Sequence, residues 1–390
     1  MSPADIDART ATDLREAGSL KWTMFPDTIG AFVAEMDFGV APVIRDAVTE
    51  SLVGLSGYLP PHLSRAMSAA TARWYGEQYG WGISAEQVSP MPDVITAYEA
   101  AMAHFSAPGS AIIVPTPAYM PFLTVPPKHG RRVIQVPSVE VDGRWVMDLD
   151  GVAKAFDDGG GLLVLCNPHN PLGTVATRDE LIAVAELVEA KNGRVFSDEI
   201  HAPLVYAPAR HVPYASVSDA AASHTFTATS ASKAWNLAGL KCAQVIVSND
   251  ADAAIWNDVG PWAGHGTSTT GVVANIAAYA DGKPWLDETL SYLDTNRRLL
   301  VDLVAEHMPK ARVSMPEGTY IALIDLRAYG LDGDLAAWFR AHAGVALTDG
   351  LACGDAGAGH ARIVFALPRP LLQELLTRMG AALAALDRVA

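Results

Sequence analysis

The chain has 390 residues, half of them hydrophobic, and this length suits one large domain and one smaller one, each with its own core. A formal net charge of −15 at pH 7 disfavours a nucleic-acid partner, because phosphate binding needs a basic face. No apolar run approaches the ~20 residues of a membrane span, so we expect no membrane association.

The first residues of the chain do not have the pattern of an export signal. Residues 1–15 carry acidic and polar side chains where an apolar segment would be required. We therefore expect a cytoplasmic protein. We assign the first 45 residues, together with the C-terminal part of the chain, to the smaller domain.

Strand-like apolar runs alternate with helical patterns through the middle of the chain. Helical spacing covers residues 94–105 and 178–191, and the second helix follows Thr177 as N-cap with Glu180 three residues on. Strands buried on both faces are predicted at residues 111–115, 132–136, 162–166, 194–197, 225–229 and 243–248. This alternation predicts an α/β fold whose mostly parallel sheet is sandwiched by helices.

The pattern changes near residue 284. A long helical pattern runs to residue 307, and strand-like segments follow at residues 319–325 and 362–366. We predict a large domain over residues 46–283 and a small α+β domain formed by residues 1–45 and 284–390.

Three polar motifs follow predicted strands of the large domain. They are Asn-Pro-His-Asn-Pro-Leu-Gly at 167–173, Ser-Asp-Glu-Ile-His at 197–201 and Thr-Ser-Ala-Ser-Lys at 229–233. Ligands of such sheets bind at the carboxyl ends of the strands, which is where Asn170, Asp198 and Lys233 fall. An imine-forming lysine, an acid for a pyridine nitrogen and a donor for a phenolic oxygen are what pyridoxal 5'-phosphate requires.

The order and wording of these motifs resemble the fold-type I pyridoxal-phosphate enzymes of the aminotransferase class I/II family, over most of the chain. The resemblance implies that Lys233 binds the cofactor and acts as the catalytic base, that Asp198 contacts the pyridine nitrogen, and that Asn170 contacts the phenolic oxygen. A structural reading also exists for each residue, since Asp198 could cap a helix and Asn170 could be a turn residue.

The same resemblance supplies the remaining cofactor contacts. The phosphate would lie against the amides of Val94 and Ile95, because helix N-termini bind phosphate, although relatives often have Gly at the position of Asp93. The other predicted contacts are the hydroxyls of Ser230 and Ser232, the cation of Lys241, the ring of Tyr119, His201, and Tyr58 lent by the neighbouring subunit. A homodimer with shared active sites is therefore expected.

Two segments resemble the C-S β-lyase branch of the family, the cystathionine β-lyase group. Asp-Glu-Ile-His ends at His201, where most relatives carry Tyr, and Val-Ala-Glu-Met-Asp-Phe at 33–38 resembles a stretch that borders the substrate pocket of that branch, with Glu35 replacing Asp. We accordingly predict Met36 and Asp37 as substrate-binding residues, and Arg362 as the group that binds the substrate α-carboxylate. The expected activity is cleavage of cystathionine or another cysteine S-conjugate to a thiol, pyruvate and ammonia, and the alternative is an aminotransferase.

Other classes of function have weaker support. Cys166, Cys242 and Cys353 are too scattered for a disulfide framework or a zinc site, and the histidines lack ligand spacing, so no metal is expected. Residues 230–233 also read Ser-x-x-Lys, the acylation motif of β-lactamases, but the accompanying motifs of that class are missing. A member of the β-lyase branch is associated with repression of a transcription activator, yet nothing in this sequence marks a partner surface.

Overall fold

The fold is taken from a computed structural model that describes residues 2–54 and 57–386. The α-helices of these residues are α1 (Pro3–Asp7), α2 (Ala11–Ala17), α3 (Leu20–Thr23), α4 (Pro42–Gly54), α5 (Pro61–Tyr79), α6 (Val94–His104), α7 (Pro121–Lys128), α8 (Leu149–Asp157), α9 (Arg178–Ala190), α10 (Asp219–His224), α11 (Asp250–Ala263), α12 (Thr269–Asp281), α13 (Lys283–His307), α14 (Leu335–Ala343) and α15 (Arg369–Leu386).

The strands are β1 (Ile29–Gly30), β2 (Val88–Met91), β3 (Ala111–Thr116), β4 (Val133–Pro137), β5 (Val139–Val141), β6 (Arg144–Val146), β7 (Gly160–Cys166), β8 (Arg194–Asp198), β9 (Thr225–Thr229), β10 (Ala243–Val247), β11 (Arg312–Val313), β12 (Ile321–Asp325), β13 (Val345–Ala346), β14 (Thr348–Asp349) and β15 (His360–Val364). No helix in the described part of the chain is long and apolar enough to cross a membrane.

The central feature is a seven-stranded sheet with the order β2-β10-β9-β8-β7-β3-β4. The pairs from β9 to β4 are parallel, whereas β10 runs antiparallel to both β9 and β2. The predicted mostly parallel sheet is confirmed, and all six predicted strands are present. Strand β2 was not predicted, because its four residues include Pro90 and show no run of β-branched side chains.

Helices cover both faces of this sheet. On one face, Ile112 and Val114 pack with α6, and on the other face Ile113 packs with α8 and α9. Successive side chains of a strand point to opposite faces, so these strands are apolar throughout their length. Helix α9 begins where predicted, because the Thr177 side chain accepts from the Glu180 amide and the Glu180 side chain accepts from the Thr177 amide.

A second, antiparallel sheet has the order β11-β12-β15-β14 and packs with α13, α14 and α15. Strand β1 pairs in parallel with β13, so the beginning of the chain joins the C-terminal part. This pairing supports the proposed small domain of residues 1–45 and 284–390, of which residues 1 and 387–390 lie outside the described part. The boundaries at 45/46 and 283/284 stay predictions.

A buried ion pair anchors the N-terminal segment. Lys21 is fully buried, and its Nζ lies 2.9 Å from Asp37 Oδ2 and donates to the Glu35 carbonyl at 2.9 Å. Trp22 Nε1 donates to the other Asp37 oxygen at 2.9 Å. Because both charged groups are away from water, each depends on the other for compensation.

We expect Lys21→Met to destabilise the protein strongly, by about 3–5 kcal/mol, because the Asp37 carboxylate would stay buried without its cation. The free energy of unfolding in urea measures this loss. The double variant Lys21→Met/Asp37→Leu should be more stable than the single variant, since it removes both charges. A double variant less stable than Lys21→Met would contradict this account.

Candidate active site

A cavity of about 610 Å³ opens at the carboxyl ends of the parallel strands and extends to α14 and β14. Eleven of the predicted site residues line it: Val94, Ile95, Tyr119, Asn170, Asp198, His201, Ser230, Ser232, Lys233, Lys241 and Arg362. Cys166, for which no role was predicted, also lines it. These residues lie together because parallel strands end at the same edge of the sheet, so that the residues after each strand meet there.

Lys233 lies half-buried in this cavity. Its Nζ donates to the Ala34 carbonyl at 3.2 Å and has no carboxylate partner among the described residues. Burial and the charge of Arg362 lower the pKa of Lys233 to about 8, against the opposing effect of Glu35 and Asp198. A larger fraction of this amine is therefore neutral near pH 7 than of an ordinary lysine, as a nucleophile or base requires.

Asp198 ends β8 and is 3% exposed. Burial raises the pKa of its carboxyl to about 7, although the Ile200 amide donates to Oδ1 at 3.0 Å and Lys233 lies near. A carboxyl group with this pKa favours a cationic partner, because such a partner would restore its ionised form. The carboxyl of Asp198 therefore has the character expected of a group that faces a protonated ring nitrogen.

Arg362 on β15 joins the two sheets across the cavity. Its guanidinium is 1% exposed, and Nε donates to Asn170 Oδ1 at 3.2 Å. The Nη1 group donates to the carbonyl of Phe32 at 2.9 Å and to Thr348 Oγ1 at 3.0 Å. Burial lowers the pKa of Arg362, and no carboxylate of the described residues pairs with it. This guanidinium can therefore accept an anionic ligand such as an α-carboxylate.

The part of the cavity at the N-terminus of α6 is suited to a phosphate. The first intrahelical hydrogen bond of α6 runs from the Ala97 amide to the Asp93 carbonyl. The amides of Val94 and Ile95 therefore have no acceptor within the helix and can bind a phosphate. The negative charge of Asp93 near this site is offset. Its carboxylate accepts from the Thr96 amide at 2.8 Å and pairs with Lys241 Nζ at 2.9 Å. Asp93 thereby acts as the helix N-cap and holds the Lys241 side chain beside the helix N-terminus.

The two serines differ in their bonding. Ser230 Oγ donates to the Cys242 carbonyl at 2.7 Å and accepts from the Ser232 amide at 2.9 Å. Its proton is thus committed to the backbone, which makes Ser232 the better-placed hydroxyl donor. Neither bond involves Lys233, so the geometry gives no support to a Ser-x-x-Lys acylation site.

His201 and Tyr119 complete the polar wall of the cavity. His201 is buried, its Nδ1 has no hydrogen-bond partner within residues 2–54 and 57–386, and its ring centre lies 5.9 Å from that of Tyr320. Burial and the charges of Lys233 and Arg362 hold the pKa of His201 well below 6.5, so the ring is neutral at pH 7. Burial raises the pKa of Tyr119, which stays a phenol.

Three predicted site residues are not brought into the cavity of their own chain. Met36 and Asp37 are buried and do not line it, and the Asp37 carboxylate is committed to Lys21 and Trp22. The cavity wall in this segment is formed by Val33 and Ala34, so that substrate binding by Met36 and Asp37 stays a prediction that this wall does not support. Tyr58 lies outside the cavity with 89% of its surface exposed, and its predicted role stays a prediction.

Several residues that support the site were missed from sequence. Asn236, at φ 60°, accepts from the Met36 amide at 3.0 Å and donates to the Met36 carbonyl at 2.9 Å, so it ties the N-terminal segment to the turn after Lys233. Tyr320 donates to the Ala34 carbonyl, the same oxygen that Lys233 contacts. No local sequence pattern predicts such contacts, because the two partners are distant in the sequence.

Glu199, next to Asp198, was missed for the same reason. Its buried carboxylate accepts from Ser197 Oγ, Tyr75 OH and the Tyr214 amide at 3.0 to 3.2 Å. His211 Nε2 lies 3.2 Å away. The fixed carboxylate contributes to the raised pKa of Asp198, since like charges oppose one another's ionisation.

Comparisons with known proteins show the family to which the chain belongs. The sequence model of the family "Aminotransferase class I and II" matches residues 32–379. The chain belongs to this family. It is similar to the cystathionine beta-lyase of Corynebacterium glutamicum, with 38% identity over 95% of this chain and 98% of that protein.

Solved structures of the family have the same fold. A putative PLP-dependent beta-cystathionase from Corynebacterium diphtheriae superposes with a TM-score of 0.91 at 37% identity, covering 96% of this chain and 98% of that one. Cystalysin from Treponema denticola, whose structure contains pyridoxal 5'-phosphate, gives 0.90 at 28% identity, covering 97% and 98%. The predicted fold-type I architecture is confirmed.

The residues of the cavity fit this cofactor. A buried carboxyl with a raised pKa suits its ring nitrogen, and an amine with a lowered pKa suits its aldehyde. The free amides of a helix N-terminus with the adjacent Lys241 suit its phosphate. Among residues 2–54 and 57–386, no group of three or more His, Cys, Asp or Glu could hold a metal ion.

Asp198 generates a prediction about the protein freed of cofactor. Its pKa of about 7 in the folded state exceeds the ordinary 3.8, so the folded state binds more protons between these values and loses stability as the pH rises. We expect Asp198→Asn to stabilise the cofactor-free protein by about 2–4 kcal/mol above pH 7 and to have little effect below pH 4.

Urea unfolding at several pH values measures this effect. Asp158→Asn is the matched control, because Asp158 is an exposed aspartate outside the cavity. With cofactor added the order should reverse, since the substitution removes the partner of the ring nitrogen. Equal stability of wild type and Asp198→Asn at pH 8 without cofactor would refute the raised pKa.

Proposed function

We propose that the protein is a pyridoxal 5'-phosphate-dependent C-S β-lyase that cleaves L-cystathionine or another cysteine S-conjugate to a thiol, pyruvate and ammonia. The observation that carries this proposal is one cavity in which Lys233, Asp198 and Arg362 each lack a compensating ion pair with any other described residue. Likeness to cystathionine beta-lyase along almost the whole chain favours the lyase over the aminotransferase alternative.

Each residue would have a distinct task. Lys233 would hold the cofactor through Nζ, exchange it for the substrate amine, and then take the proton from the substrate Cα as general base. When bound, pyridoxal 5'-phosphate supplies an electron sink for the charge left at Cα, which allows the β-thiolate to leave. Asp198 would keep the ring nitrogen protonated, and Asn170 would contact the phenolic oxygen. Arg362 would orient the substrate by its α-carboxylate.

The phosphate would be held in the part of the cavity at the N-terminus of α6. The amides of Val94 and Ile95, the hydroxyl of Ser232 and the cation of Lys241 are the groups available there. Ser230 would act mainly by orienting Ser232, given its own backbone bonds. We assign the ring contacts to Tyr119 and His201, whose neutral imidazole adds no charge beside Lys233.

We further propose a homodimer with shared active sites in the cytoplasm. Tyr58 is 89% exposed, and Leu52, Val53 and Trp262 are also large exposed apolar residues. Exposed apolar side chains of this size favour a protein interface, and Tyr58 is then available to the phosphate of the other subunit. Three buried free cysteines, Cys166, Cys242 and Cys353, suit a reducing compartment.

The proposed activity is tested with L-cystathionine. We expect pyruvate and thiol in equal amounts without any added keto acid, because a lyase regenerates the aldehyde form of the cofactor in each cycle. Lys233→Ala should abolish both turnover and the yellow colour of the protein, since no other amine lines the cavity at that position. Colorimetric assays of pyruvate and thiol and the visible spectrum provide the measurements.

The opposite result would identify an aminotransferase. In that case an amino acid without a β-leaving group would bleach the enzyme, a keto acid would restore the colour, and cystathionine would give no pyruvate. Full turnover in Lys233→Ala would refute the assignment of the catalytic residue in either enzyme class.

Tyr58 tests the shared sites. Removing its hydroxyl in Tyr58→Phe should weaken cofactor binding on the order of 10- to 100-fold, as expected for loss of one hydrogen bond to a charged acceptor. Mixing Tyr58→Phe with Lys233→Ala should form hybrid dimers in which one site has both native residues. Activity at limiting cofactor should then exceed that of either variant. No gain, with subunit exchange demonstrated by mass spectrometry, would exclude sharing through Tyr58.

A further inference from the structure

One cation at the wall of the cavity has no part in the proposed chemistry. Arg340 lies in the last turn of α14, half-buried, and its guanidinium carbon lies 4.7 Å from the ring centre of Phe25. It makes no hydrogen bond or ion pair with the described residues, although it lines the same cavity as Lys233. An arginine stacked on an aromatic ring keeps its in-plane donors available for another ligand.

An aromatic wall connects Arg340 with Arg362. The rings of Phe25 and Phe32 pack edge to face with centres 5.3 Å apart, and the Phe32 carbonyl accepts from Arg362 Nη1. The two guanidinium groups therefore occupy different positions along one apolar surface. Such a surface suits the hydrocarbon and sulfur atoms of a thioether that carries an anionic group at each end.

The nearby carboxylates do not neutralise Arg340. Asp334 caps α14 by accepting from the Ala337 amide at 2.9 Å. Asp349 accepts from the amides of Leu335 and Leu351 at 2.6 and 2.7 Å. Backbone amides, including those of Leu335 and Ala337 at the start of α14, therefore offset both carboxylates. Arg340 lies in the last turn, at the other end of this helix.

We propose that Arg340 binds a carboxylate on the leaving-thiol part of the substrate, so that the enzyme prefers S-conjugates with a distal anionic group. This inference rests on the proposed β-lyase activity, in which Arg362 binds the α-carboxylate. The distal part of L-cystathionine carries such a carboxylate. A thioether with an uncharged alkyl group would use only the aromatic wall.

The test compares two substrates that differ at one end. S-(2-Carboxyethyl)-L-cysteine has a distal carboxylate, and S-propyl-L-cysteine has a methyl group at that position. In Arg340→Met we expect kcat/KM for the carboxyethyl substrate to fall on the order of 10- to 100-fold, mainly through KM, because a charge-assisted contact is lost. The value for the propyl substrate should change less than about threefold.

Two variants serve as controls. Arg340→Lys should retain part of the preference because it keeps the charge but loses the planar fork. Arg312→Met removes an exposed arginine of the small sheet that does not line the cavity and should leave both substrates unaffected. Inhibition by L-2-aminopimelate and by L-2-aminoheptanoate, which have no leaving group, gives a second measurement. Only the dicarboxylate should lose affinity in Arg340→Met.

The outcomes separate this inference from the activity on which it rests. If the wild-type enzyme released pyruvate from neither thioether, nor from cystathionine, the β-lyase proposal itself would fail. If it cleaved both, and Arg340→Met affected both alike or neither, the lyase would stand and the distal carboxylate site would be refuted.

Discussion

The site depends on ionisable groups that the fold buries wholly or in part without giving them ion-pair partners among residues 2–54 and 57–386. Asp198, Lys233 and Arg362 each have a pKa displaced in the direction that burial dictates. Holding such groups away from water opposes folding, so the surrounding structure must supply the stability. It does so through a sheet whose strands are packed on both faces and which fixes Asp198 at a strand end. A bound cofactor and substrate offer the compensating charges that the protein itself lacks.

The N-terminal segment joins this charged centre to the antiparallel sheet, through Tyr320 next to β12. The carbonyl of Ala34 accepts from both Lys233 and Tyr320. The Asn236 side chain hydrogen-bonds to the amide and the carbonyl of Met36. The same segment is anchored on its other side by the Lys21–Asp37 ion pair. Its position therefore depends at once on contacts with Asn236, Tyr320 and Lys21, so that a shift of the segment would alter the surroundings of the Lys233 amine.

Sequence patterns predicted what depends on near neighbours. The apolar runs of β3, β7, β8 and β9 specify strands, and the residues that follow parallel strands meet at one edge, which brought Asn170, Asp198 and Lys233 together. The patterns failed where the partner is remote. Asp37 sits in a motif that resembles a substrate-binding stretch, but Lys21, sixteen residues earlier, pairs with it. The donors around Glu199 and the ring beneath Arg340 likewise come from distant segments.

The distribution of hydrogen bonds explains how an acidic protein can bind anions. The chain has a net charge of −15, and four aspartates line the cavity. Each of these carboxylates accepts from at least one backbone amide: Asp93 from Thr96, Asp198 from Ile200, Asp334 from Ala337, and Asp349 from Leu335 and Leu351. The cations Lys233, Arg340 and Arg362 have no carboxylate partner in the described structure. Because amides at helix starts and turns offset the acids, the attraction of the cavity for anions is set locally by its cations and not by the net charge of the chain.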